Sequence, residues 1–518
     1  MTDQRAVDNE PSQILEELEI HAYQLERRNM YLKKTLAETR SSPFRTLKDN
    51  ITFSFLKLLA KAEPFFSSRV AARFRASARK RDPHRDEFLL SEQSNKFPFT
   101  YKMVLDHWAQ QRMAQKDDIA RLTTELADGP LVSIVISIKQ FDAKSIEKAF
   151  GSVLAQSYKN WEMLLLPTVS ENGISAFLSD LAKSHTNVNV LGLEEGVSTS
   201  TRMNNATSAM YGKLMLFMDA TDVLDTDALL LVVKELLRKP DLKIIYTDED
   251  SVSRHGKRYH PHFKPDWNRE LFYGANYISR AVFLDRQVVN AAGGFQEEYD
   301  DAQQYDLLLR CIEKIEDIQI GHVAKVLYSR RANAPIFDGT SGSTQRALSD
   351  HLARVHGKPL QVVDGYFPGT CRVVWPLKTE PLVSIIIPTR DRLSLTRKAV
   401  ESILRETAYR SFEILIVDNG SVEPETLEWF DMVNRTTDNL RVIRDDSPFN
   451  YSALNNSAVR QSKGEIIALV NNDIEVQKGD WLSEMVSLAV RPDTGCVGAK
   501  LYFPDGRIQH AGVRVGFN

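Results

Sequence analysis

The stretch Gly464-Glu-Ile-Ile-Ala-Leu-Val-Asn-Asn-Asp473 leads from a glycine into an apolar run of strand length, Ile466 to Val470, and ends abruptly in two amides and a carboxylate. Such a run suits a strand buried on both faces of a parallel sheet. In open α/β sheets ligands bind in the crevice beyond the carboxyl ends of the strands, which places Asp473 where chemistry is usually done.

The stretch has a double. Gly212-Lys-Leu-Met-Leu-Phe-Met-Asp219 matches Gly464 to Asn471, and Pro130-Leu-Val-Ser-Ile-Val-Ile-Ser-Ile138 recurs as Pro381-Leu-Val-Ser-Ile-Ile-Ile-Pro-Thr389. Between these anchors Ser152-Val-Leu154 matches Ser402-Ile-Leu404, Glu162 to Leu166 matches Glu413 to Val417, and Asn204-Asn205 matches Asn455-Asn456. Two copies of one α/β domain therefore lie in tandem. In the first, Leu131 to Ile138 reads as a strand, Ala143 to Gln156 as a helix and Trp161 to Leu166 as a strand, a right-handed parallel unit. Thr344 to Val355 reads as a connecting helix, and Leu360 to Val374 as a hairpin turning through Gly365, Pro368 and Gly369. The expected division is a coiled coil at 1–45, a basic helical region at 46–115, a first α/β domain at 126–340, a linker helix and hairpin at 341–380, and a second domain at 381–518.

Composition limits what the chain can be. Its 518 residues suggest two to four units at roughly 150 residues each. A formal net charge of -3 gives no global case for nucleic acid as a partner. Cys311, Cys371 and Cys496 are widely spaced and odd in number, which argues for reduced thiols and against a disulfide framework or a cysteine zinc site. The polar start lacks the apolar core of a signal peptide, and no window approaches the roughly 18 apolar residues of a spanning helix. The expectation is a cytoplasmic protein.

Ahead of the repeats, Leu15, Leu18, Ala22, Leu25, Asn29, Leu32 and Leu36 alternate three and four apart, a heptad seam with Asn29 at an a position. This reads as a short coiled coil through which chains could self-associate, or equally as a solvated amphipathic helix. Ile51 to Ala60 with Phe65 and Phe66, followed by a basic run from Arg69 to Arg85, could lie on the inner face of an anionic membrane as a peripheral contact. A plain solvated basic face is the competing reading.

Four segments of the second copy, Val383 to Asp391, Ile416-Val-Asp-Asn-Gly-Ser421, Asn450-Tyr-Ser-Ala-Leu-Asn-Asn456 and Leu469-Val-Asn-Asn-Asp-Ile-Glu475, together resemble the family-two glycosyltransferases of the GT-A fold. These enzymes transfer a sugar from a nucleotide diphosphate with inversion. The likeness covers roughly residues 100 to 518 and is strongest to tandem, coiled-coil-bearing bacterial proteins of O-antigen and rhamnose-containing polysaccharide synthesis. It implies two tandem GT-A domains, Rossmann-like in build, behind an N-terminal helical region. It also implies a nucleotide-diphosphate sugar as donor and a glycan or lipid-linked glycan as acceptor.

By that resemblance Asp473 is the final Asp of an Asp-x-Asp motif and the metal ligand, with Asn471 in place of the first Asp and Asn472 between them. The cation implied is Mg²⁺ or Mn²⁺, a hard ion that takes oxygen ligands, few of them from protein. Asp418 would hold the base or ribose, Pro388, Thr389 and Arg390 would line the nucleotide pocket, and Asn455 and Asn456 would face the nucleotide-sugar. A polar helix-capping turn is the competing reading of Asn471-Asn472-Asp473 taken alone.

Inversion also needs a base for the acceptor hydroxyl, worth roughly 10² to 10⁴ in rate. In the second copy the sequence stops at Asn518 before the family's position for it, so the expectation is a C-terminally truncated domain with no assigned base. Asp505 and His510 are its late polar residues, and His510 reads as loop support. The first copy retains acceptor-side segments, Tyr246-Thr-Asp-Glu-Asp250, His262-Phe-Lys-Pro-Asp-Trp267, Gly293-Gly-Phe295 and Gln303-Gln-Tyr-Asp-Leu307, yet the base position is Gln304, an amide. With Pro167 opposite Asp418 and Thr221 opposite Asp473, the first copy looks disabled. Asp219, Asp222, Asp248 and Asp250 could form another metal site, or be surface carboxylates and helix caps. Two functions stay open: a transferase whose second copy carries the donor site, and a non-catalytic module that binds nucleotide-sugar, glycan or a partner enzyme. A dinucleotide-binding oxidoreductase lacks its Gly-x-Gly-x-x-Gly turn after the first strand.

Overall fold

The structure, a computed structural model, describes residues 116–169, 173–192, 196–252, 258–299, 302–331, 341–365 and 369–512. The heptad seam and the basic-aromatic segment lie outside the described residues. The chain divides into two compact units, one of residues 116–351 with 364–372 and one of residues 352–363 with 373–512.

The first unit begins with α1 (Lys116–Glu125), β1 (Val132–Ile138), α2 (Ala143–Leu154), β2 (Trp161–Pro167), α3 (Ile174–Ala182), β3 (Val188–Val190), α4 (Thr199–Ser208) and β4 (Leu214–Asp219). It continues through β5 (Val223–Leu224), α5 (Ala228–Arg238), β6 (Ile244–Val252), β7 (Arg258–His262), α6 (Arg269–Gly274), β8 (Val282–Asp285), α7 (Arg286–Ala291), α8 (Gln303–Ile312) and β9 (Ile320–Arg331). After it come α9 (Ser341–His356) and a two-stranded ribbon of β10 (Gln361–Asp364) and β11 (Cys371–Val374). The strands form one mixed sheet in the order β3-β2-β1-β4-β8-β6-β9-β5, with β7 added to β6. Pairing from β3 to β4 is parallel, and β8 enters antiparallel between β4 and β6. The largely apolar β1 and β4 are buried because helices cover the sheet. In α2, Ile146, Ala149, Phe150 and Val153 fall on one stripe and are buried against it.

The second unit holds β12 (Val383–Thr389), α10 (Leu393–Glu406), β13 (Phe412–Asp418), α11 (Pro424–Thr436), β14 (Leu440–Arg444), α12 (Tyr451–Gln461), β15 (Ile466–Leu469), α13 (Trp481–Ala489), β16 (Leu501–Tyr502) and β17 (Ile508–His510). Its four-stranded parallel sheet, β14-β13-β12-β15, repeats the order of β3-β2-β1-β4. The register repeats as well: Val132 pairs with Trp161 and Leu214, and Val383 with Phe412 and Ile466.

Side chains repeat the likeness in detail. Ser133 Oγ donates to Glu162 Oε1 (2.6 Å) and accepts from the Gly212 N–H (2.8 Å). Ser384 Oγ donates to Glu413 Oε1 (2.6 Å) and accepts from the Gly464 N–H (2.8 Å). The glycine is required at both places, because a Cβ would come within 2.6 Å of the Ser133 nitrogen or 2.5 Å of the Ser384 nitrogen. Tyr158 and Tyr409 each donate their hydroxyl to the carbonyl of the proline ahead of the first strand, Pro130 and Pro381. The serine, the glutamate and the glycine thus fix how the central strand enters the sheet in each unit.

One expectation needs correction. The run Ile466 to Val470 is not buried on both faces: Ile466, Ile467 and Ala468 are half-buried and Leu469 is 53% exposed. Among the described residues β15 pairs only with β12, so it is an edge strand, whereas β4 is flanked by β1 and β8. An apolar run reports the strand and not how many neighbours it has.

Candidate functional site

The carboxyl ends of β12, β13 and β15 form the edge to which most of the sequence candidates map. Pro388 and Thr389 close β12 opposite Val417 and Asp418 in register. Thr389 is buried, its Oγ1 2.8 Å from that of Thr396 on α10, and it accepts from Asn472 Nδ2 at 3.0 Å. That bond ties the Asn471-Asn472-Asp473 turn to the end of β12. Arg390 is exposed beside it, as are Asn471 and Asp473.

After Arg390 the backbone turns sharply, with Asp391 and Arg392 both at positive φ, 51° and 57°. Two consecutive side-chain-bearing residues in this region are strained, and local hydrogen bonds hold them there. The Asp391 N–H donates to Ser421 Oγ (2.7 Å), and Asp391 Oδ1 accepts from the N–H groups of Val422 (2.8 Å) and Glu423 (2.9 Å). The backbone donors of Glu423 and Val422 hold the Asp391 carboxyl below its ordinary range.

Asp418, at the end of β13, is buried. Its Oδ1 accepts from the Ser421 N–H (2.9 Å) and its Oδ2 from Arg444 Nη1 (2.6 Å). Arg444 also donates to the Ser421 carbonyl and, through Nε, to Asp446. Asn419 anchors the same loop by donating to the carbonyls of Asp445 and Ser447. Asp391, Asn419 and Arg444 were given no role in the sequence reading. The signal for Arg444 was available: a carboxylate expected inside a sheet edge needs a nearby cation or donor, and Arg444 ends the neighbouring strand β14.

Asn455 and Asn456 are not drawn into this hydrogen-bonded cluster. Both lie on α12, whose N-cap Asn450 accepts from the Ala453 N–H as Ser198 accepts from the Thr201 N–H on α4. The caps set the helix register at an offset of 252 residues. Asn456 therefore corresponds to Asn204, and Asn455 to Met203, one residue away from the match read from the sequence. The buried positions agree, Arg202, Met203 and Ala206 against Leu454, Asn455 and Ala458. The extra residue enters between β13 and β14, where Asn-Asn pairs alone could not show it. Asn455 is 4% exposed; its Nδ2 donates to the Tyr451 carbonyl (2.8 Å), and its Oδ1 is buried without a hydrogen-bond partner.

The corresponding edge of the first unit is built differently. Asp219 Oδ1 accepts from the Thr221 N–H and Oγ1, while its Oδ2 lies 3.6 Å from Lys139 Nζ and 4.0 Å from Arg280 Nη1. Asp222 is fully buried, and both its oxygens are taken, by Tyr328 (2.7 Å), Arg280 (3.2 Å) and the Arg331 N–H (3.2 Å). Burial pushes the Asp222 carboxyl up, against the pull of Arg280. A cleft of about 310 Å³ opens here, lined by Lys139, Asp142, Asp219, Thr221, Arg280 and Arg331. Its three cations, Lys139, Arg280 and Arg331, face two carboxylates, Asp142 and Asp219.

Asp248 and Asp250 do not join Asp219 and Asp222. Asp248 accepts from the Lys264 N–H and faces His322, while Asp250 pairs with Arg258. Asp219 and Asp222 share Arg280 while Asp248 and Asp250 have other partners, and among the described residues no three His, Cys, Asp or Glu side chains gather as a metal site would require. Nor are they surface carboxylates, since Asp222, Asp248 and Asp250 are all buried. Between them Glu249 is buried with Lys264 (3.1 Å) and Arg330 (3.0 Å). Gln304, on the first turn of α8, donates to the Ser279 carbonyl at 3.2 Å.

Pro167 ends β2 where Asp418 ends β13, and the buried Arg202 donates to its carbonyl at 3.3 Å. The guanidinium of the first unit thus serves the backbone at the point where the second unit has a carboxylate and Arg444.

The chain is 46% identical over 516 residues to the uncharacterized protein y4gI of Sinorhizobium fredii, a match covering 97% of this chain and 56% of that protein. It is 37% identical over 412 residues to the O-antigen biosynthesis protein RfbC of Myxococcus xanthus, covering 78% of this chain and 32% of that protein. It therefore spans about half and a third of the lengths of these two relatives. Among solved structures, S. aureus TarS 1-349 in complex with UDP aligns at 13% identity with a TM-score of 0.35, over 43% of this chain and 65% of that one. The profile described as Glycosyl transferase family 2 matches twice, over residues 133–293 and again over residues 384–513, and the chain belongs to that family.

Proposed function

We propose that the chain is an inverting glycosyltransferase of bacterial cell-surface polysaccharide synthesis, built from two tandem GT-A domains, and that its second unit binds the nucleotide-diphosphate sugar. The observation that carries this is the contrast between the two sheet edges. In the second unit the turn after β15 presents an exposed carboxylate, Asp473, beside an exposed amide, Asn471. In the first unit the carboxylates at that edge are held by Arg280, Lys139 and Tyr328.

In this reading Asp473 holds Mg²⁺ or Mn²⁺ with Asn471 beside it, which suits a hard ion that keeps waters and takes one or two protein oxygens plus substrate phosphates. When bound, the cation offsets the charge of the diphosphate. Asn472 fixes the turn through Thr389, and Pro388 and Arg390 border the nucleotide. Asp418 presents the spare lone pairs of its oxygens to the base or ribose, held rigid by Arg444 and the Ser421 N–H. The first unit positions the second or recognises the glycan, since the amide of Gln304 cannot take a proton from an acceptor hydroxyl. That amide also favours a second reading, a non-catalytic module that binds donor or glycan without turnover.

Calorimetric titration with UDP, dTDP and GDP tests the donor site. Binding is expected in Mn²⁺ and lost in chelator, with Asp473→Ala weakening it by at least about 10–100-fold, the loss typical when even an outer-shell partner of a metal ligand is removed. Metal-indifferent binding, or binding unchanged by Asp473→Ala, would remove the assignment. Sugar transfer abolished by Asp473→Ala separates the transferase from the non-catalytic module, which would bind donor and transfer nothing.

A further inference from the structure

The cleft at the carboxyl edge of the first unit runs on into a second, of about 490 Å³, and the two share Ser145, Thr221 and Arg331. Lys148 and Arg258 add cations to the lining of the second, and Asp225 a carboxylate. Arg331, the last residue of β9, stands at the junction. The charges around it are answered within the protein. Lys139 lies 3.6 Å from Asp219, Arg280 between Asp219 (4.0 Å) and Asp222 (3.2 Å), and Arg258 between Asp225 (3.5 Å) and Asp250 (2.6 Å). Asp142 accepts from Ser145 Oγ at 2.7 Å. Arg331 differs. Its backbone N–H donates to Asp222, but among the described residues its half-buried guanidinium has neither a hydrogen bond nor an ion pair. A cation partly withdrawn from water, with five N–H donors to fill, is stabilised by an anion.

Gln304 has a part in this arrangement. Arg280 follows Ser279, whose φ of 49° is strained for a residue with a side chain. Two amides hold that residue: Asn276 Oδ1 accepts from its N–H (3.1 Å), and Gln304 Nε2 donates to its carbonyl (3.2 Å). An ionised carboxylate at 304 would meet the same carbonyl with no proton to give. The amide therefore steadies the loop that brings Arg280 to the cleft. Thr221 changes the edge in the same sense, offering a hydroxyl to the cleft where the second unit presents the exposed carboxylate of Asp473. No aromatic ring lines either cleft, so nothing in the lining stacks on a nucleotide base.

We propose that the joined clefts of the first unit bind a sugar that carries an anionic group, and bind it without a metal ion. Arg331 takes the anion, with Arg280 and Lys139 beside it, while Asp142, Ser145 and Thr221 meet the sugar hydroxyls. A uronate carboxylate and a phosphate ester share the chemistry required, since a guanidinium fork grips either in two places. The inference rests on the reading that the first unit recognises the glycan, and it gives that glycan a charge. It does not depend on the donor site of the second unit. In it Gln304 is a positioning residue that acts through Ser279 on Arg280.

The test uses the full chain in chelator, which silences any metal-dependent donor binding, and follows the ligand by NMR. The probes are glucuronate, galacturonate and glucose 1-phosphate, with glucose and galactose as their neutral parents and UDP as a nucleotide. Saturable binding of an acidic sugar is expected at least tenfold tighter than that of its neutral parent, and whether the uronates or the phosphate bind tells the two sources apart. Arg331→Gln should weaken it about tenfold or more, the worth of hydrogen bonds to a charged group. The guanidinium has no partner to lose, so the fold is kept. Gln304→Glu should cost about threefold to tenfold. Its gap to wild type should close toward about pH 4, where the new carboxyl regains a proton to donate, a profile that a damaged fold would not give. Acidic and neutral sugars bound alike, or binding indifferent to Arg331→Gln, would overturn the charge assignment and leave glycan recognition standing. No sugar bound up to about 10 mM, a decade beyond millimolar affinity, would overturn both. UDP bound as tightly as the acidic sugars would make the cleft a nucleotide site and overturn the proposal.

Discussion

Lys264→Met is expected to destabilise the first unit by about 3–5 kcal/mol, the cost of leaving a buried charge without its partner. Lys264 is buried; its ammonium donates to Glu249 (3.1 Å) and to the Ile278 carbonyl (2.6 Å). Burial alone would push the Glu249 carboxyl up, but Lys264 and Arg330 outweigh it and hold it well below the usual range. Burial pulls Lys264 down, so the pair is sustained by mutual attraction and not by solvent. Removing the cation leaves Glu249 with Arg330 (3.0 Å) and the more distant His262 (3.6 Å), a network that joins strands β6, β7 and β9. Urea unfolding measures the loss, and the double variant Glu249→Gln/Lys264→Met should recover part of it, because the carboxylate that had lost Lys264 is then gone, while Arg330 keeps its charge. The depressed carboxyl has a pH consequence with a definite sign. Its contribution is fully present above the unfolded value of 4.5 and is lost as the pH falls through the lower folded value, so wild type and Lys264→Met should converge in strong acid. A loss under about 1 kcal/mol, an ordinary surface effect, would contradict this account of the network.

Gly464→Ala carries the second large effect, and its consequence reaches the candidate site. The new methyl would sit 2.5 Å from the Ser384 nitrogen and 2.8 Å from the Leu382 carbonyl, both backbone atoms that cannot rotate away. Overpacking of this kind costs typically about 1–3 kcal/mol. The strain falls where β15 joins β12, and β15 leads directly into Asn471-Asn472-Asp473. The variant should therefore lose stability and also lose the Thr389–Asn472 tie, with nucleotide-diphosphate affinity falling in step. Gly498→Ala, in open space, serves as the control and should stay within about 0.5 kcal/mol of wild type. Equal behaviour of the two alanines would mean that the close approach at Gly464 is not real.

What could be read from the sequence follows from which features are local. The paired strands Val132–Ile138 and Val383–Thr389 are apolar runs of strand length bounded by turns, and their β-branched composition leaves little choice of structure. The glycines ahead of β4 and β15 stood out because the same residue recurred, although the serine and glutamate that require it lie far away in sequence. Long-range pairing was less legible. Nothing in Ile466 to Val470 says whether a strand lies on one side or two, so an edge strand was read as an interior one. The carboxylates of Tyr246-Thr-Asp-Glu-Asp250 look like surface groups until Lys264, Arg330, His322 and Arg258 arrive from distant segments. A one-residue insertion between β13 and β14 moves the Asn-Asn pair out of register, as the helix caps Ser198 and Asn450 and the strand register show. At the candidate site, Asp418 and Thr389 stand where strand order puts them. Asp391 acts through loop geometry and not residue type, whereas Arg444 answers the need of the buried Asp418 for a nearby cation and sits at the end of the neighbouring strand.

The claim that the second unit carries the donor site is tested most directly by locating the metal. Crystals soaked with Mn²⁺ and a nucleotide diphosphate, measured for the anomalous signal of manganese, give its position without reference to activity. The expected result is one strong peak in the second unit with a carboxylate oxygen of Asp473 as ligand, at the roughly 2.1 Å separation of a small hard divalent cation, and the diphosphate beside it. A peak at Asp219 of the first unit, with Asp473 bare, would contradict it.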